Sequence, residues 1–125
     1  EGLNHLNKEL LVSAGIDYDG GVRRFMGNAP LFEKMLCKFL TDQSFSEARK
    51  SFESCEWQSF MRNVHTLKGL SGNLSINVIY HTASQIVSLL RADDIEGAKA
   101  LFPSLEEEYG AVSKAIGLAA EADRR

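Results

Sequence analysis

Apolar residues recur three or four positions apart along nearly the whole chain, and no stretch shows the Val/Ile/Thr alternation of a strand. That periodicity allows little besides packed helices. The clearest stripe is Trp57, Phe60, Val64, Leu67, Ser71 and Leu74, which predicts a helix over about 56–74. Upstream, Leu3, Leu6, Leu10 and Leu11 outline an amphipathic helix that Gly15 should end. Asp17 is placed to cap a short helix carrying Val22, Phe25 and Met26, stopped near Gly27. Asn28 should cap the next, with Pro30 tolerated in a first turn whose N–H groups have no helical partner. Leu31, Phe32, Met35, Leu36, Phe39 and Leu40 form its apolar side, until the polar interval 41–44 bends or breaks it before Phe45, Ala48 and Phe52.

Downstream, Ser75 or Asn77 is the expected cap of a helix whose inward face is Ile79, Ala83, Ile86 and Leu90. A short connection at 91–94, with a cap of its own, leads into a last helix running from Ile95 through Leu105 and Tyr109 to Ile116. Pro103 is expected to kink that helix one turn earlier. Connections this short make neighbouring helices antiparallel. The expected fold is all-α, an antiparallel four-helix bundle with additional short N-terminal helices. One domain should occupy 1–125, with an N-terminal helix at 1–14, a core at 15–117 and a frayed tail at 118–125.

A chain of 125 residues closes a single core without metal or disulfide support. Its 44% apolar and 25% charged residues suit a soluble globular protein. A net charge of −3, with no Lys/Arg run longer than two, argues against a nucleic-acid partner. No apolar stretch approaches the ~20 residues that span a bilayer, so no direct membrane contact is expected. Cys37 and Cys55 lack metal-ligand spacing and read as reduced thiols of a cytoplasmic protein. The chain opens on Glu1 rather than Met, as expected of a segment of a longer protein or of a chain freed from a tag.

One residue on the central helix is out of keeping with a plain core element. At about 100° per residue, His65 falls well away from the apolar stripe and should face solvent. Lys68, Gly69 and Gly72 follow it at i+3, i+4 and i+7, on the same face. The expected surface is an exposed imidazole with an ammonium one turn away and two neighbouring positions free of side chains. Each interior glycine costs a helix about 1 kcal/mol against Ala, so two on one exposed face require a reason. Either they clear a landing surface for a partner, or they let a neighbouring helix approach closely. On the first reading, Ala at either site should stabilise the domain, and Gln should still fold.

His65-Thr66-Leu67-Lys68-Gly69, followed by Ser71 and Gly72, resembles the signature of histidine-containing phosphotransfer (HPt) domains, and the likeness extends from about Gly15 to Ile116. The resemblance implies the same bundle and a phosphorelay role in two-component signalling, as a module of a hybrid sensor histidine kinase or as a stand-alone carrier. On it, His65 is the phosphoacceptor, Lys68 the phosphate-side cation, and Gly69, Gly72, Met61 and Arg62 belong to the receiver-docking surface. Gln85 is a candidate hydrogen-bond partner for the imidazole or phosphate. The implied partners are response-regulator receiver domains, whose aspartates give and take the phosphoryl group and which bring their own Mg²⁺. The implied place is the cytoplasm, on its own or within a membrane-anchored kinase. Many family members have Gly ten residues past the histidine where this chain has Ser75, a difference that bears on the turn.

The chemistry fits the residue. Imidazole is a nucleophile when neutral and a leaving group when protonated near neutral pH. No Gly-rich phosphate cradle or kinase signature is present, so no autokinase activity is expected, and no cofactor or metal of its own. The alternative is a helical interaction module that is never phosphorylated, with His65 incidental. His5 and His81 lack ligand-spaced partners and read as surface residues, the run 106–108 as a solvated helix face, and the aromatics as core. Met26, Met35 and Met61 read as gap fillers or partner-surface residues.

Overall fold

The computed structural model describes the backbone of residues 7–123 and the side chains of 7–121. Seven helices occupy it: α1 (Lys8–Ser13), α2 (Tyr18–Arg24), α3 (Ala29–Phe39), α4 (Ser44–Glu53), α5 (Trp57–Asn73), α6 (Asn77–Arg91) and α7 (Ile95–Asp123). No strand occurs among the described residues. Leu3 and Leu6, expected in the first helix, lie outside them. α5 packs between α4 and α6, and α6 packs on α7. α4 meets α7 through stacked rings, with Phe45 against Tyr109 at 4.1 Å between centroids and Phe52 against Phe102 at 4.3 Å. Those four helices are the antiparallel bundle, and α1 and α3 cover α7 from outside. The aromatics are core, as their spacing suggested: Phe32, Phe39, Phe60 and Phe102 are all essentially buried.

Local chemistry sets the ends of the helices. Asp17 accepts from Gly20 N–H, Asn28 from Leu31 N–H and Asp94 from Gly97 N–H, each serving as an N-cap. Between α3 and α4 the interval 41–44 breaks the helix outright: the Asp42 carboxylate accepts from Ser44 N–H at 2.9 Å. Neither Ser75 nor Asn77 caps α6. That position falls on Ile76, which is fully buried and makes no side-chain cap, so packing fixes the start of the helix.

Ser75 instead closes α5. At φ 56° it occupies the left-handed region, its N–H bonding Gly72 O at 3.2 Å while Ile76 N–H reaches back to Ser71 O at 2.9 Å. This is a Schellman ending, in which glycine is the usual residue. Met26, Cys55 and Asp93 follow α2, α4 and α6 at similar positive φ, and Met26 is 93% exposed. A left-handed non-glycine residue costs about 1–2 kcal/mol, less the extra unfolded-chain entropy of a glycine. Ser75→Gly is therefore expected to stabilise the domain by roughly 0.5–1 kcal/mol. Denaturant melts measure it, and a lower midpoint would show that packing of the buried Ser75 side chain outweighs the backbone term.

Two expectations about the C-terminal half change. Helix α7 continues to Asp123 with Ala119 buried, past the frayed end expected from 118. Pro103 lies inside α7, the helix in which the sequence places it. The run 106–108 is also not a uniformly solvated face, because only Glu107 is exposed. Glu106 accepts from Arg49 Nε at 3.3 Å across the α4–α7 seam, and Glu108 is half-buried.

The short N-terminal helices are tied to the bundle at the α5–α6 turn. Asp17 N–H donates to Ser75 O at 2.8 Å, and Val78 N–H donates to Gly15 O at 3.3 Å. α2 then lies on α3, with Gly21 directly against the Phe32 ring and Tyr18 edge-on to it at 5.5 Å. The Tyr18 hydroxyl donates to the Glu33 carboxylate, and burial followed by that bond raises the phenol well above its ordinary pKa.

Candidate functional site

On α5 the buried residues are Phe60, Val64, Leu67 and Ser71, and His65 is exposed, as the stripe predicts. Lys68 is half-buried, and no carboxylate pairs with it among the described residues. His65 stands between two surface depressions. In the first, of about 490 Å³, α5 contributes His65, Lys68, Gly69, Gly72 and Asn73, α6 contributes Asn77, Tyr80 and His81, and α2 contributes Arg24. The second, of about 350 Å³, is lined by Met61, Arg62, His65, Thr66 and Arg91.

The two glycines differ, which sequence spacing alone does not reveal. A Cβ on Gly69 would meet nothing within 4 Å, so this position is open surface beside the imidazole. A Cβ on Gly72 would stand 3.0 Å from Cδ1 of Tyr80, tighter than ordinary contact. Gly72 therefore admits the α6 ring. The expectation that Ala or Gln would be accommodated freely at either site is corrected for Gly72. It holds for the space around Gly69.

Gln85 is not part of this surface. It lines a separate depression with Ser84, Ser88, Leu89 and Leu101, on the seam between α6 and α7. The polar side of α6 spans more than one groove, and Gln85 is turned toward α7. It makes no hydrogen bond to the His65 imidazole, one of the two partners expected for it. Met61 and Arg62 do adjoin His65, with the Arg62 guanidinium donating to Ser59 Oγ at 3.0 Å.

Sequence reading missed Arg24, Arg91 and the placement of His81. Arg24 and Arg91 come from other helices, and only tertiary packing brings them to His65. His81 is exposed, as expected of a surface histidine, but it shares the first depression with His65. His5 lies outside the described residues. Four cations, Arg24, Arg62, Lys68 and Arg91, thus line the two depressions, and no Asp or Glu does. On a chain of net charge −3 that is a local inversion of sign, suited to an anionic group or an acidic partner face. Among the described residues no group of three or more His, Cys, Asp or Glu is placed to hold a metal ion.

An exposed imidazole on the central helix of an antiparallel bundle, ringed by cations, defines a histidine-presenting helical domain. The family described as Hpt domain matches residues 35–115, and the chain belongs to that family. Phosphotransfer in two-component signalling is the family's work, and receiver domains are its general partners. No curated protein and no solved structure matches the chain. No helix among the described residues is long and apolar enough to cross a membrane.

Proposed function

We propose that this domain is a phosphorelay intermediate: His65 takes a phosphoryl group from one receiver aspartate and passes it to another. The observation that carries this reading is the setting of His65, exposed beside the open backbone of Gly69 and between two depressions lined by cations and no carboxylate. In the forward step a ring nitrogen bonds to phosphorus as the acyl-phosphate P–O bond breaks, and the bonding pair leaves with the receiver's carboxylate. The return step reverses it on a second receiver. Charge gathering on the phosphoryl oxygens is met by Lys68 from this side and by the receiver's Mg²⁺ from the other. The domain holds the group and supplies no nucleotide chemistry. Its place is cytoplasmic, as a stand-alone carrier or within a hybrid kinase.

Incubation with a phosphorylated receiver is the test. An acid-labile, alkali-stable adduct on this chain is expected, and its absence would leave a protein-interaction module with His65 incidental. Lys68→Ala is expected to slow transfer roughly 5–10-fold without preventing it, because one partly exposed cation shares its task with the metal. Lys68→Arg should fall between, since a planar fork does not replace a compact ammonium. Transfer time courses measure both, and an unchanged rate for the Ala variant removes Lys68 from the site.

A further inference from the structure

The first depression beside His65 has a wall that α5 and α6 do not supply. Arg24, the last residue of α2, forms it, and lies outside the segment 35–115 that matches the family. We propose that Arg24, which lines the same depression as Lys68 and His65, is a second phosphoryl-binding cation that holds the dianionic group on His65. This rests on the phosphotransfer reading and extends it to a residue that family membership does not assign.

The helix that carries Arg24 is fixed at both ends. The N-terminal end is anchored by the Asp17 N–H bond to Ser75 O, at the turn that joins α5 to α6. The body is held by Gly21 against the buried Phe32 ring and by the Tyr18 hydroxyl on Glu33. At the C-terminal end, Phe25 packs on Phe32 at 5.7 Å, and Gly27 N–H closes the helix on Val22 O at 2.9 Å. Among the described residues no carboxylate pairs with the Arg24 guanidinium, so none of them competes for it. A guanidinium presents a fork of donors matched to phosphate oxygens. It comes from a different helix than Lys68, so the two cations reach the depression from separate elements.

The test loads the full chain with phosphoramidate. A His65 ring nitrogen bonds to phosphorus as the P–N bond to ammonia breaks, and ammonia leaves carrying the proton shed by the ring. The ³¹P resonance missing from His65→Gln identifies the group, and its pH titration reads the proton affinity of the phosphoryl oxygens. Arg24→Ala is expected to raise that affinity about fivefold, the scale of one partly exposed charge contact, and the effect should shrink in high salt. Arg24→Lys should restore most of it. Arg23→Ala, one residue earlier and not lining the depression, should leave the titration unchanged. An Arg24→Ala titration that overlays the parent's, or an equal shift from Arg23→Ala, overturns the assignment. If no His65 resonance appears in the parent, the phosphoacceptor reading itself has failed, a separate result from either of these.

Discussion

Replacing His65 by Gln is expected to abolish phosphoryl acceptance from a receiver while leaving the melting temperature within a degree or two of the parent's. The imidazole is exposed, and the buried side chains of α5 lie on other faces, so its removal opens no cavity. Surface changes of this kind stay within about 0.5 kcal/mol, and Gln is a better helix former than His. Labelling with a ³²P-phosphorylated receiver, beside a thermal melt of the same preparation, measures both arms. Persistent label in the variant would sink the assignment and direct attention to His81, the other imidazole of the first depression.

The second large effect separates the two glycines. Gly69→Ala is expected to stabilise the domain by up to ~1 kcal/mol, through helix propensity and reduced unfolded-chain entropy. Gly69→Gln should also fold, since nothing lies within 4 Å of a Cβ there, yet lose transfer at least about tenfold. A long side chain beside the imidazole occupies the space through which the receiver must approach. At Gly72 the order reverses. Its Cβ would press on Tyr80 at 3.0 Å, so Ala should gain less than at Gly69. Gln should cost about 1–3 kcal/mol, the usual penalty for overfilling a packed contact. Melts and transfer rates on the four variants decide the matter. A Gly69→Gln protein that transfers at the parent's rate would end the landing-surface account, and a Gly72→Gln protein as stable as Gly69→Gln would end the close-packing one.

The readable parts of this chain were those governed by local rules. Helical spacing located every element within the described residues, and Asp17, Asn28 and Asp94 cap helices because a short polar side chain before an apolar run serves that purpose in any context. The exposure of His65 followed from angle alone. What was not readable depended on which helix lies beside which. Gln85 and His81 are one turn apart on α6, but one faces α7 and the other the His65 depression, and periodicity cannot rank two polar neighbours. Gly69 and Gly72 looked equally free of neighbouring helices until Tyr80 arrived beside one of them. Ser75 fails as a candidate cap of α6 because its role is set by the preceding helix's last turn, where the backbone needs a positive φ, rather than by its hydroxyl.

The two main-chain bonds from 15–17 to the α5–α6 turn bear on where this unit can be cut. A chimera that grafts only 35–115 onto another protein would carry His65, Lys68 and both glycines. It would leave behind Arg24, the amide that satisfies Ser75 O, and the carbonyl that receives Val78 N–H. The portable module is therefore longer than its recognisable motif, and its working boundary lies ahead of α2 rather than within α3.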